Sequence, residues 1–336
     1  MDSLTQIVLG AAMGEVALGK KAGNKAQLYG AIAGTVPDLD VAARFVTDTV
    51  TATQMHRGFS HSILFALIAS PILGYMVNKI ERRLNLGWHS WTSLFFLGIF
   101  THPLLDAFTT WGTQIFWPLD HRVAFNTIFV VDPLYTLPFL FCTVWAMFKK
   151  RGTLSRKRIN RTGIAISSCY LVFTVALKQF TTSKFIKALT DQNIAYEQIS
   201  TRPGAFNTIL WNANVDTGDT YLLGDYSIFD TQPITFKSYP KNRKDEVILD
   251  NPNAAEDINR LIDISQGWYL LEPRGDEWYF HDLRFGTIPL PDGVDQFVFS
   301  YRIYNQDGAW HIEEVEKKPE NGKLLLQKLW KRIKGN

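Results

Sequence analysis

Cysteine is nearly missing from this chain. Cys142 and Cys169 are the only two in 336 residues, and both lie inside apolar runs. No disulfide framework can be built from them, so they read as lipid-facing or packing residues. No basic segment precedes the first apolar stretch, where Asp2 stands instead, so a signal-peptide pattern is also missing. A GxSxG nucleophile elbow is absent, and beyond residue 180 so are long apolar runs.

An excess of one charge sign is missing overall, since 35 Lys/Arg face 32 Asp/Glu for a net value of +3. That balance conceals a split. Residues 1–180 carry 17 Lys/Arg against 9 Asp/Glu, whereas residues 181–336 carry 18 against 23. A single soluble globular protein does not have this partition. The expectation is a mainly α-helical membrane domain over 1–180, followed by a soluble α+β domain over 181–336.

Six membrane helices are expected, at about 4–18, 26–36, 62–77, 91–110, 129–148 and 164–180. The last four approach the roughly 20 residues that cross a bilayer core. The first two are short and carry Gly10, Gly14, Gly30 and Gly34, a spacing that lets two helices pack closely as a hairpin. Of the 17 cations, 13 fall after helices 1, 3 and 5, with the run from Lys149 to Arg161 the densest. The positive-inside rule makes these loops cytoplasmic and the 181–336 domain extracytoplasmic, in a bacterial-type cytoplasmic membrane. The same rule accounts for the basic run without nucleic acid.

Five polar islands interrupt the apolar part: Pro37-Asp38-Leu39-Asp40, His56-Arg57-Gly58-Phe59-Ser60-His61, His102 to Asp106, Asp120-His121, and Asp132-Pro133. The topology puts all of them on the outer face. Ionisable groups at membrane depth are costly and mark function. Imidazole with carboxylate, without thiolate, is the ligand set of a hydrolytic zinc, manganese or iron site.

His102 and Asp106 are four residues apart, so a helix presents both on one face. They form either half of a metal site or a buried His–Asp hydrogen bond. Of Asp38 and Asp40, at a helix end after Pro37, one is expected to ligate and the other to support. Gly58 suggests a turn between His56 and His61, with Ser60 or Ser62 capping the next helix. Arg57 is either an interfacial anchor or a phosphate contact. Asp132 is a helix N-terminal residue or a supporting carboxylate. His89, His281 and His311 read as ordinary polar residues.

These motifs carry a resemblance. MDSLTQIVLGAAMGE, GAIAGTVPDLD, HRGFSHSILF, HPLLDAFTTWGTQIFWPLD and VVDPLYTLPF, in that order, resemble the YdjM-like family of membrane-bound metal-dependent hydrolases. That family is distantly similar to zinc-dependent phospholipases C and P1-type nucleases. The resemblance implies metal binding at Asp38 or Asp40, His61, His102 and Asp106, with His56 nearby. Gln6 departs from the pattern, because many relatives have His there.

In the second domain, alternating stretches at 209–215, 220–229, 267–271, 277–280 and 296–304 read as strands. Asp216-Thr217-Gly218-Asp219 and Asn305-Gln306-Asp307-Gly308 read as hairpin turns. A helix is expected at 254–264. The stretch 323–334 is an amphipathic surface helix or a solvated tail.

The expected function is hydrolysis of a lipid or lipid-linked phosphoester at the outer membrane face. A divalent metal, zinc before manganese or iron, would be held among Asp38, Asp40, His56, His61, His102 and Asp106. Asp38 or Asp40 would act as base, and Arg57 would contact phosphate. A metal-ion transporter and a non-catalytic scaffold displaying the second domain are the alternatives.

Overall fold

The computed structural model describes residues 1–241, 248, 251–289, 295–315 and 322–336. Its helical part contains α1 (Ser3–Ala22), α2 (Asn24–Thr35), α3 (Thr49–Met55), α4 (Ile63–Ile80), α5 (Trp88–Asp106), α6 (Pro133–Met147) and α7 (Leu154–Asp191). Strands β1 (Gln198–Pro203), β2 (Leu210–Asp216), β3 (Thr220–Ser227) and β4 (Phe236–Pro240) follow, then α8 (Pro252–Ile264). Strands β5 (Tyr269–Arg274), β6 (Glu277–Pro289), β7 (Asp295–Gln306) and β8 (Ala309–Glu314) precede α9 (Gly322–Ile333). A helical N-terminal part thus leads into a β-sheet-rich C-terminal region.

The chain forms two compact units. One comprises Met1–Ala43, Met55–Leu177 and Ala205–Thr208, and the other Arg44–Gln54, Lys178–Gly204 and Ile209–Asn336. The second unit therefore includes α3, which comes from far up the chain.

In the first unit, local sequence sets the helix ends. Thr5 N donates to Asp2 Oδ1 (3.1 Å), and α1 stops at Gly23, whose φ of 61° suits glycine. The antiparallel α1–α2 hairpin packs backbone to backbone. A Cβ at Gly10 would strike Gly30 O, one at Gly14 would strike Ala26 O, and one at Gly34 would strike Gln6 O. Small residues at this spacing make the approach feasible, and the same contact brings Gln6 and Gly34 together. Ala33 and Gly98 continue the close packing onto α5. Around them lie Trp91, Leu94, Phe95 and Ile99, all buried. Asp132 settles as the N-cap of α6, accepting from Leu134 N (2.9 Å) and Tyr135 N (3.2 Å). Its other oxygen accepts from Tyr170 Oη at 2.9 Å.

Among the described residues two helices, α4 and α7, are long and apolar enough to cross a membrane, and α6 is a shorter apolar helix. The expected helix at 164–180 is the centre of a 38-residue helix. At about 1.5 Å per residue that is roughly 57 Å of unbroken rod. No proline interrupts it, so the basic residues from Arg156 to Arg161, expected in a loop, occupy its first turns. Arg156 turns inward. Its Nε and Nη2 pair with Glu15 at 2.8 and 2.6 Å, its Nη1 reaches Asn24 Oδ1 (2.7 Å), and Nη2 also reaches Gln27 Oε1 (3.1 Å). Both charged side chains are at most 5% exposed.

The described residues of the second unit form two four-stranded antiparallel sheets, ordered β1-β2-β3-β4 and β5-β6-β7-β8. The β7–β8 hairpin turns through Asp307 and Gly308, both with positive φ (54° and 84°), as the Asp-Gly pair suggests. Helix α8 buries Ala254, Ile258 and Leu261 against Phe280, Tyr301 and Ile303. Val50 of α3 joins this core at 1% exposure. Arg260 ties α3 in place through Thr51 Oγ1 (2.9 Å) and Gln54 Oε1 (2.8 Å).

Candidate metal centre

The last turns of α5 present His102 and Asp106 on one face, both fully buried. Two short 3₁₀ turns bring the remaining groups. The Pro37–Phe45 turn carries Asp38 and Asp40, and the Phe59–His61 turn ends on His61, also fully buried. His61 therefore lies just before α4, and of the two serines Ser62 is the cap, accepting from Phe65 N at 3.0 Å. The bend needs a small residue, since a Cβ on Gly58 would meet Met55 O at 3.0 Å. Arg57 adopts a φ of 58°, a strained region for a side-chain-bearing residue. It is held there by Arg57 N donating to Asp40 Oδ2 (2.9 Å) and Gln114 N donating to Arg57 O (3.0 Å).

Four atoms converge: Asp38 Oδ1, His61 Nε2, His102 Nε2 and Asp106 Oδ2. His61 lies 3.4 Å from Asp38, 3.1 Å from His102 and 3.4 Å from Asp106, while His102 lies 3.3 Å from Asp38 and 3.5 Å from Asp106. Ligands about 2.0–2.1 Å from a common centre in a tetrahedron stand about 3.3 Å apart, so the spacing suits one small divalent ion.

Proton bookkeeping points the same way. His102 Nδ1 faces the Gly34 carbonyl at 2.6 Å, which can only accept, so Nδ1 carries the hydrogen and Nε2 the lone pair. His61 Nδ1 lies 3.2 Å from Asp40 Oδ2 and 3.0 Å from Ser60 Oγ, which itself donates to Asp40 Oδ2 (2.9 Å). His61 Nε2 is therefore a lone pair as well. With both rings neutral, two imidazole lone pairs and two carboxylate oxygens meet. Asp106 Oδ2 is buried without a hydrogen-bond partner. Such a set requires a cation, either a metal or a proton. These residues fit a divalent metal.

Electrostatics agree. Burial pushes the Asp38 carboxyl up, but the facing His102 and His61 rings outweigh it and hold the group well below the usual carboxylate range. Burial likewise opposes ionisation of Asp40, and His56 with His61 holds it well below that range. Burial alone would lower the His61 pKa, yet the carboxylates of Asp106, Asp38 and Asp40 raise it to about 9.

The structure sorts the sequence-predicted residues. Asp38, His61, His102 and Asp106 form the group able to hold a metal. Asp40 stands behind His61 as its orienting carboxylate, an arrangement that fixes the ring of a metal-bound histidine. His56 is not among the converging atoms, and its Nδ1 lies 3.0 Å from Asp40 Oδ1. Arg57 is buried, with Nε 3.3 Å from Asp106 Oδ2 and Nη1 donating to Thr109 Oγ1 (2.7 Å). Asp120 and His121 are exposed and outside the group. His281 bonds Ser300 Oγ (2.8 Å) and Glu272 Oε2 (3.1 Å) in the second unit.

Gln6 lies against the centre. Its Nε2 donates to Asp106 Oδ1 (3.0 Å) and His102 O (3.2 Å), and its Oε1 is buried without a partner. The Met1 amine pairs with the same Asp106 oxygen. The roles of Thr109 and the Gly34 carbonyl left no trace in the sequence, since a backbone oxygen has no residue type to betray it.

The sequence model of one family, described as YdjM inner membrane protein, matches residues 1–181, just over half of the chain. The chain belongs to that family. No curated protein and no solved structure matches it.

Proposed function

We propose that this chain is a membrane-bound metal-dependent hydrolase that cleaves a phosphoester of a lipid or lipid-linked molecule at the outer face of the membrane. The observation that carries the reading is the convergence of four buried lone-pair atoms from Asp38, His61, His102 and Asp106. A zinc or similar ion held there would make a bound water a nucleophile near neutral pH and polarise a phosphoryl oxygen.

The chain's own residues supply the remainder. Asp38 is the one member of the four that solvent reaches, with its side chain 21% exposed, so water and substrate approach on its side. Its Oδ1 faces the two imidazoles, so Oδ2 would be the oxygen able to accept a proton from a water held at the centre. Asp40 does not serve as that base. Its oxygens already accept from Arg57 N and Ser60 Oγ and face His56 and His61, so its role is to aim the His61 ring. Neutral His61 and His102, ionised Asp38 and Asp106, and a divalent ion sum to zero. Ionised Asp40 balances the Arg57 guanidinium, so a site holding the ion would be close to neutral, with Arg57, 3.3 Å from Asp106, as the fixed cation that would face an anionic phosphate.

Leu39, next to Asp38, and Phe59, in the turn that ends on His61 and 5.0 Å from the Trp117 ring, are exposed and apolar, as a lipid-linked substrate requires. Transport is less well supported, because the buried residues of α5 before His102 are Trp91, Leu94, Phe95, Gly98 and Ile99, with no polar step among them.

The test is metal analysis of purified protein together with a lipid-phosphoester hydrolysis screen. His102→Ala and Asp106→Ala should each lose both metal and activity. Full activity in either variant overturns the proposal.

A further inference from the structure

Helix α9 carries Lys323, Lys328, Lys331 and Arg332 and no carboxylate. One side of it is committed to the second unit. Arg332 donates from Nε and Nη2 to Asp225 Oδ1 (2.9 and 2.8 Å), and from Nη1 and Nη2 to Asp230 (2.6 Å each). Ile333 is buried, and its carbonyl accepts from Ser227 Oγ at 2.6 Å. These contacts fix the helix rotationally, so its other side is defined.

That other side is mixed in an informative way. Leu326 and Trp330, one turn apart, are 57% and 60% exposed. Lys334 continues the same line, its Nζ 5.2 Å from the Trp330 ring. Lys323 and Lys331 flank it, both exposed. A solvated face has no use for an exposed leucine and tryptophan side by side. The core of a protein–protein interface selects tryptophan but excludes lysine. Tryptophan and leucine ringed by lysine is the composition of a helix lying in a bilayer's headgroup layer. The charge is complementary to anionic phospholipid, and the family's inner-membrane character supplies such a surface.

We propose that α9 is a membrane-surface helix. Leu326 and Trp330 insert at the acyl boundary of an anionic bilayer, and Lys323, Lys331 and Lys334 rest on lipid phosphates. The contact is independent of the metal centre.

The full chain, carrying Cys142→Ala, Cys169→Ser and a nitroxide at Leu326→Cys, tests this in vesicles. The vesicles are phosphatidylcholine alone or mixed with phosphatidylglycerol, and a nitroxide at Gln306→Cys is the reference. In mixed vesicles at low salt, the label at 326 should be relaxed by oxygen more than by a water-soluble nickel chelate, and the one at 306 the reverse. High salt, phosphatidylcholine alone, or a joint Lys323→Gln, Lys331→Gln and Lys334→Gln change should shift position 326 towards the nickel chelate. Nickel-dominated relaxation at 326 in mixed vesicles at low salt overturns the proposal. So does a label shielded from both reagents, which would mean a protein covers this face.

Discussion

His61 and His102 point their Nε2 atoms at each other across 3.1 Å, while the second nitrogen of each ring is committed to an acceptor. Two lone pairs do not approach in this way without a positive charge between them. The relationship makes the centre sensitive to anything that rotates either ring or changes its proton.

Rotation is the first handle. Asp40 aims His61 without joining the converging four. Loss of such a supporting carboxylate typically costs 10–100-fold in metal affinity. Asp40→Asn should therefore weaken metal binding by about that factor while leaving the stoichiometry intact, as read by competition with a chromophoric chelator. Complete loss of metal would instead make Asp40 a ligand.

The proton is the second. His61 titrates near pH 9 in the metal-free protein against an ordinary 6.5. Its folded pKa is raised, so its proton stabilises the metal-free fold fully below pH 6.5, and that contribution disappears as pH rises through 9. Asp38 and Asp40 act in the opposite sense, stabilising above the ordinary 3.8 and losing effect on acidification. A metal must displace the His61 proton. Metal affinity should rise by about tenfold per pH unit across the 6.5 to 9 window, with one proton released per ion in calorimetry. A flat profile with no proton release would exclude His61 from the ligand set.

Gln6 offers a gain-of-ligand experiment. Its amide already touches Asp106, and an imidazole is a much better donor to zinc than an amide oxygen. Gln6→His should raise zinc affinity or stoichiometry in an otherwise unchanged fold. Equal zinc content and affinity in a well-folded variant would show that residue 6 cannot reach the ion.

Away from the centre, Arg156 neutralises Glu15 in a buried pair. Arg156→Ala leaves a buried carboxylate without its partner and should cost about 3–5 kcal/mol in thermal unfolding. The double change Glu15→Met with Arg156→Met should recover most of that. If the double variant is as unstable as the single, the contribution comes from Asn24 and Gln27 rather than from the ion pair.

Orientation is tested by reporter fusion. A reporter that works only outside the cytoplasm should be active after Asn336 and silent when inserted at Gly152, in the turn between α6 and α7. The reverse pattern would move the centre to the cytoplasmic face.

Much of the centre was legible because its signals are local. His102 and Asp106 obey helix periodicity, and Asp38, Asp40 and His61 sit where apolar segments end. What could not be read depends on pairing over long separations. Arg156 reads as one more cytoplasmic cation until Glu15, 141 residues earlier, is found beside it. Asp120 and His121 match the composition of the other islands but remain outside the site, because composition does not specify where a loop folds. The Gly10/Gly14 and Gly30/Gly34 pattern indicated a hairpin, and it also sets the Gly34 carbonyl against His102. That consequence follows only once α5 is docked.

The burial of Val50 bears on the order of synthesis. Val50 leaves the ribosome long before Ile258 and Ile303, the residues that enclose it. Asp38 and Asp40 lie just upstream of α3, and His56 and His61 just downstream. Until translation is nearly finished, the segment joining the two halves of the ligand set has no core to enter. A nascent chain therefore carries α3 with its apolar side uncovered until the strands and helix that bury Val50 have been made.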